Sequence, residues 1–220
     1  MSDGPDMYSK ARALMVAEQL ERRGIASKAV LECMGRVPRH LFVDESLATH
    51  AYQDGPLSIG HGQTISQPYM VALMTEALDL KPSDRVLEIG CGCGYQSAVL
   101  AGLCARVYAV ERVPALFDLA RANLMRVGVR NVSLKLGDGT LGWPEEAPFE
   151  AVLAAAYSRS VPEGLRDSLA FGGRLVMPVG DSGGQLLVLY SRGADGKVSR
   201  RTLVACRFVP LMRDHRPSRG

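Results

Sequence analysis

"DRVLEIGCGCGYQSAVLAGLCARVYAVE", residues 84–111, decides the fold. Val86–Ile89 is a short apolar run with the texture of a buried strand, and glycines alternate through Gly90, Gly92 and Gly94. An apolar helical stretch, "YQSAVLAGLCA", follows, and "RVYAVE" returns to strand. The unit is strand, glycine turn, helix, strand. Glycine lets the backbone turn tightly and approach a ligand with no Cβ in the way.

Toward the C-terminus the alternation continues. A helix is predicted in "VPALFDLARANLMRVG" and strands in "NVSLKLGDG" and "FEAVLAAA". A further helix is predicted in "PEGLRDSLAFGG", then strands in "GRLVMPVG", "QLLVLYSR" and "TLVACRFVPL", the last antiparallel. Strands alternating with helices predict an α/β fold with a doubly wound, mostly parallel, seven-stranded Rossmann-like sheet. Upstream, Leu14, Ala17 and Leu20, then Val30, Leu31 and Met34, fall at helical spacing; Gly24 ends the first helix and Ser27 caps the second. Residues 37–64 show no clear period, and irregular chain of that length tends to be functional. Helical spacing returns over Met70–Leu80, with Pro68 suited to a first turn. The chain divides into an N-terminal helical extension with an active-site lid, 1–80, and a core with C-terminal strands, 81–220.

Composition narrows the partners. The 220 residues are 47% apolar and 22% charged, enough for one domain with an extension and a full core. Much of the net charge of +3 sits in "RDHRPSRG", with no basic stripe interleaved with aromatics, which argues against nucleic acid. No apolar run reaches the roughly 20 residues of a bilayer span. "MSDGPDMYSK" lacks the order of a signal peptide, and five irregularly spaced cysteines suggest no disulfide framework. The expectation is a cytoplasmic monomer without membrane contact.

The loop spacing is G-x-G-x-G. A pyrophosphate-binding G-x-G-x-x-G would need glycine where Tyr95 stands, so the loop argues against NAD and for a nucleoside ligand lacking a pyrophosphate. Glu111 ends the second core strand, where a carboxylate can accept both hydrogen bonds of a ribose diol. Asp138 ends the third, where it can read an adenine amino group while Gly137 and Gly139 keep the backbone close. Glu88, Glu111 and Asp138 all lie at carboxyl ends of adjacent strands, where open α/β sheets bind ligands. Each could instead cap the helix that follows it.

From Val86 to Val179 this pattern resembles class I S-adenosylmethionine-dependent methyltransferases. The resemblance implies that Glu88 with Gly90, Gly92 and Gly94 faces the methionine end, Glu111 the ribose, and Asp138 with Gly137 and Gly139 the adenine. Over nearly its whole length the chain is similar to the protein-L-isoaspartate O-methyltransferase family. The likeness is carried by "VPRHLFVDE", "IGHGQTISQPYMVALMTEAL", "VLEIGCGCGYQSAVLA", "GDGTLGWPEEAPFEA", "GGRLVMPVG" and "RFVPL" in order. The most specific segment is "GQTISQPYM", which implies Ser66 as the active-site serine and Gln67, Pro68, Tyr69 and Met70 as cofactor contacts. It also implies an isoaspartyl peptide lying extended near "RFVPL", with Thr64 and Val209 in substrate contact. The implied reaction moves the methyl of S-adenosyl-L-methionine to the α-carboxylate of L-isoaspartyl residues. It leaves S-adenosyl-L-homocysteine and an ester that closes to a succinimide, and it needs no metal.

A carboxylate acceptor is already ionised at neutral pH, so no general base is required. The site must instead supply in-line approach and partial desolvation. Ser66, with Thr64, can hold one carboxylate oxygen and aim the other; alternatively Ser66 caps the helix beginning at Pro68. Two departures stand out. In "AAAYSRSVP", Tyr157 replaces the family's proline, and Arg159 could pair with a substrate carboxylate or remain solvated. Cys91 and Cys93 form a C-x-C pair with no second pair to complete a metal site. His61 is near Ser66 in sequence. The rivals are a related enzyme for a dedicated peptide or small-molecule carboxylate, suggested by "YSRS", and a non-catalytic cofactor-binding module, against which the serine motif speaks.

Overall fold

The computed structural model describes residues 7–213. Helix α1 (Met7–Leu14) runs on through a π-helical stretch, Met15–Leu20, and a 3-10 turn, Glu21–Arg23, before Gly24 ends it at φ +96°. The expected apolar face is displaced: Leu14 and Ala17 are exposed, while Met15 and Leu20 are buried. Five-residue spacing puts Met15 and Leu20 on one side of a π-wound segment, which a 3.6-residue period does not anticipate. Helix α2 (Lys28–Arg36) starts at Ser27, whose hydroxyl accepts from the Val30 N–H, and buries Val30, Cys33 and Met34.

The stretch 37–64 is mostly built. It holds 3-10 turns at Arg39–Phe42 and Glu45–His50, then a hairpin of β1 (Leu57–Gly60) and β2 (Gln63–Ile65). His61 and Gly62 both have positive φ at the two-residue turn, the backbone that matches strand twist in a tight hairpin. Helix α3 (Pro68–Ala77) follows directly, with proline at its first position.

Seven strands form the main sheet: β3 (Arg85–Ile89), β4 (Arg106–Glu111), β5 (Val132–Leu136), β6 (Phe149–Ala154), β7 (Leu169–Asp181), β8 (Gly184–Arg192) and β9 (Val198–Cys206). Their order is β5-β4-β3-β6-β7-β8-β9; the first five are mutually parallel. β8 runs antiparallel to β7, and β9 antiparallel to β8. The expected reversal of the last strand is therefore corrected. The inverted strand is β8, because a two-residue turn after Asp181 folds it straight back, and β9 returns in the sense of the core.

Helices α4 (Tyr95–Ala101) and α5 (Pro114–Arg126) join α3 over Val86, Val107, Ala109, Leu153 and Val176 of one sheet face. The alternate residues Leu87, Ile89, Val110, Val152 and Leu175 meet the short helix α6 (Glu163–Asp167) on the other. With both faces covered, the central strands read as continuous apolar runs. The helix expected over 162–173 stops at Asp167: the Ser168 carbonyl accepts from the Phe149 N–H at 2.8 Å, drawing the chain into β7 from Leu169. The α1–α2 segment packs with α3, α4 and Leu124 of α5 in a second apolar cluster.

Arg174 on β7 ties this core to the end of α3. Its Nε donates to the Leu78 carbonyl at 2.6 Å and its Nη2 to Asp84 at 2.7 Å. Asp84 is 3% exposed. Arg174→Met would leave that carboxylate buried and unpaired, at a cost of about 3 kcal/mol. That lowers the melting temperature by about 10 °C in a domain of this size. A calorimetric shift within about 2 °C of the parent would contradict this.

Candidate active site

The strand order reverses at β3: β4 and β5 lie to one side and β6 to the other. Crevices at such switch points, beyond the carboxyl ends of the strands, are where open α/β sheets hold ligands. A cleft of about 830 Å³ opens there, a size that suits a nucleoside with a substituent. Its floor is the loop after β3. Gly90 and Gly92 have φ of +80° and +56°, a conformation side chains resist. A Cβ on Gly90 would meet nothing within 4 Å, so a side chain there would occupy cleft space.

The Glu111 carboxylate stands beside this loop. Oε2 accepts from the Gly92 N–H at 2.9 Å, and Oε1 from the N–H groups of Arg112 and Val113 at 2.8 and 2.9 Å. Three of about four acceptor positions are thus used. Oε2 keeps one for a ligand hydroxyl, where the sequence suggested two.

The hairpin and the start of α3 form one wall. Thr64, Ser66, Gln67 and Met70 line it. Gln67 is the cap residue of α3, and its amide donates to Asp54 at 2.7 Å. Ser66 therefore does not cap that helix, and among the described residues its hydroxyl takes no hydrogen bond. The Ser66 carbonyl instead accepts from Nη2 of Arg39 at 2.8 Å.

The facing wall is a strap, residues 207–211, that the sequence placed inside the last strand. β9 ends at Cys206 because the next residues are claimed from two sides. The Gln185 side chain accepts from the Phe208 N–H at 2.7 Å and donates to its carbonyl at 3.4 Å. The Tyr157 N–H donates to the Val209 carbonyl at 2.9 Å, and the Leu211 N–H to the Tyr157 carbonyl at 2.7 Å. The Val209 N–H has no partner among the described residues. Gln185 and the main chain of Tyr157 are functional supports that sequence reasoning missed; the oddity of Tyr157 was visible, but its hydrogen-bonding partner was not.

Residues 10–216 match the family model described as protein-L-isoaspartate(D-aspartate) O-methyltransferase. The chain belongs to that family. Among its relatives, a protein-L-isoaspartate O-methyltransferase from Trichlorobacter lovleyi is 54% identical over 205 residues, 93% of this chain and 94% of that one. A solved protein-L-isoaspartate O-methyltransferase superposes with a TM-score of 0.81 at 28% identity, over 93% of this chain and 65% of that chain. A Plasmodium falciparum structure described by the same name, in complex with S-adenosyl-L-homocysteine, has a TM-score of 0.80 at 28% identity, over 92% and 99%.

Within this isoaspartate methyltransferase fold the expected site residues divide. Thr64, Ser66, Gln67, Met70, Gly90, Gly92, Glu111, Gly139 and Val209 line the cleft. Pro68 and Tyr69 do not: Pro68 is buried, and the Tyr69 ring lies under the Arg23 guanidinium at 3.8 Å. Gly94 is held to glycine by packing, since a Cβ would stand 3.2 Å from Leu124 and 3.4 Å from Ala120 of α5. Gly137 and Asp138 sit just outside; the Asp138 carboxylate accepts from the Thr140 N–H at 2.8 Å and caps a 3-10 turn. His61, at the hairpin tip, is exposed and also outside the cleft.

Glu88 does not face the cleft. It is fully buried beneath the loop and accepts from the Ser97 hydroxyl. Burial pushes its carboxyl up to about 8, the nearby Glu111 adding to the rise and the Ser97 bond opposing it. The folded protein thus keeps a proton that the unfolded chain releases near 4.5. The stability this proton confers is complete below that value and is lost as pH climbs through about 8. Glu88→Gln, neutral throughout, should melt progressively above the parent between about pH 5 and pH 9. Parallel melting curves across that range would refute the assignment.

Proposed function

We propose that this chain transfers a methyl group from S-adenosyl-L-methionine to the α-carboxylate of L-isoaspartyl residues in proteins and peptides. The observation that carries the reading is that the Ser66 hydroxyl and the Val209 N–H, neither with a partner among the described residues, share one cleft with a glycine floor and the Glu111 carboxylate. S-adenosyl-L-methionine, when bound, supplies an electrophilic methyl group on a sulfonium. The chain's own part is to hold and aim. Gly90 and Gly92 leave room at the end of β3, and Oε2 of Glu111 accepts one ribose hydroxyl. Met70 and Gln67 lie against the bound group, and Gly139 and Asp138 lie nearest its base.

Ser66 donates to one oxygen of the acceptor carboxylate, with Thr64 beside it, so that the other oxygen points along the line of transfer. No residue need take a proton, because the acceptor is already ionised. The Val209 N–H donates to the substrate main chain along the strap. A main-chain amide nitrogen of the acceptor then attacks the ester carbonyl and expels methanol, closing a succinimide, and water reopens that ring in part to normal aspartate; this is the repair. In this reading residues up to 80 carry the lid and Ser66, and the rest forms the cofactor-binding core. The protein acts as a cytoplasmic monomer on polypeptide, not nucleic acid. Among the described residues no helix is long and apolar enough to cross a membrane.

The test is transfer of labelled methyl to a matched pair of peptides, one isoaspartyl and one aspartyl. Base-labile label on the isoaspartyl member alone is the expected result. Label on neither, with the cofactor bound, would sink the proposal and favour a dedicated acceptor reached past Arg159, which is exposed two residues beyond the cleft-lining Tyr157.

A further inference from the structure

Among the described residues Arg39 is the largest fully buried side chain, and it has no carboxylate partner there. Burial lowers its pKa from the ordinary arginine range, with Tyr95 close by opposing the shift. A cation kept in such a place, where two apolar residues would pack, calls for a reason. Its bonds supply one. Nε donates to the Ala51 carbonyl at 2.7 Å and Nη2 to the Ser66 carbonyl at 2.8 Å. The guanidinium lies 4.8 Å from the centre of the Tyr95 ring, and Phe42, in the same 3-10 turn, meets that ring edge-on at 5.5 Å.

Tyr95 opens α4, immediately after the glycine loop. One side chain therefore fastens the Ser66 peptide, the end of the 45–50 turn and the first residue beyond the cofactor loop into a single rigid joint. We infer that Arg39 is a positioning residue for methyl transfer: it fixes the Ser66 peptide relative to the glycine loop, so that the Ser66 hydroxyl meets the acceptor carboxylate in line with the donor. This inference rests on the role proposed for Ser66. Lysine cannot substitute fully, because a single ammonium lacks the planar fork that serves two carbonyls and a ring face together.

The experiment is a double-mutant cycle of Arg39→Lys and Ser66→Ala on the full chain. It reads kcat with an isoaspartyl peptide and S-adenosylmethionine affinity by calorimetry. Arg39→Lys should lower kcat about tenfold and move cofactor affinity less than about threefold, since a displacement of about 1 Å is costly only to the reacting geometry. In the Ser66→Ala background the same change should cost less than about twofold. Equal losses in both backgrounds would show that Arg39 acts independently of the serine, overturning this inference while leaving Ser66's role intact. Undiminished kcat in Ser66→Ala alone would remove the serine's role itself, and with it the inference. If Arg39→Lys does not fold, an ester in place of the Ser66–Gln67 amide weakens the Ser66 carbonyl as acceptor and leaves every side chain in place. It should slow kcat about threefold with affinity kept; parent-like kcat there also overturns the inference.

Discussion

Glu111→Gln should weaken S-adenosylmethionine binding by about 50-fold and lower the melting temperature by about 5 °C. Both effects follow from the same carboxylate. With Oε1 given to Arg112 and Val113 and Oε2 to Gly92, the glycine loop and the turn after β4 are fastened by an acceptor-only group. An amide keeps one oxygen for two of those N–H groups but turns an NH2 toward the third, and a donor facing a donor is repelled. The loop floor loosens and the remaining acceptor position for a ribose hydroxyl disappears. A hydrogen bond to a charged group contributes about 1.5–3 kcal/mol, which spans the predicted change in affinity. Calorimetric titration and thermal melts measure the two consequences separately. Parent-like affinity would show that Glu111 serves the loop and not the ligand.

Ser66→Ala should slow methyl transfer to isoaspartyl peptide by about 30-fold while leaving cofactor affinity within about twofold. The hydroxyl neither caps α3 nor bonds elsewhere among the described residues, so its removal leaves no orphaned partner inside the protein. Stability should stay within about 0.5 kcal/mol of the parent. The loss is one of aim, because the acceptor carboxylate is charged without help and lacks only a fixed direction. Single-turnover rates at saturating peptide isolate that step, and an unchanged rate there would end the serine's role.

What the chain revealed before folding was local. Gly90, Gly92 and Glu111 announced themselves because a strand end, a glycine turn and an acid are read over few residues, and the cleft forms around them. Glu88 was equally conspicuous, yet it faces Ser97 inside the core; strand alternation turns it toward α4, and with both sheet faces covered the sequence does not say which acid stays outside. Gly94 looked like part of the ligand loop, while its constraint comes from its own φ of +88° and from Ala120 and Leu124 on another helix. The hairpin around His61 and Gly62 was not read, because strands of four and three residues are too short for a period to show. Arg39 could not have been found this way: its partners lie 12 and 27 residues on, at carbonyls that carry no side-chain signature.

The strap has a consequence for which proteins this enzyme can reach. Phe208 and Val209 are pinned by Gln185 and Tyr157, so the rim presents main-chain groups at a fixed position, with Arg207 the one charged side chain of the strap. Such a rim would sense chiefly the course of an acceptor's backbone, with Arg207 its one charged reader of the residues flanking the damage. If the Val209 N–H pairs with the acceptor backbone as proposed, an acceptor also arrives extended, in the manner of an added strand. An isomerised residue inside a helix or a tight loop has to open first, at the free energy of its local unfolding. On intact proteins, then, the rate of methylation would rank damaged sites by how often each one opens, much as amide exchange does.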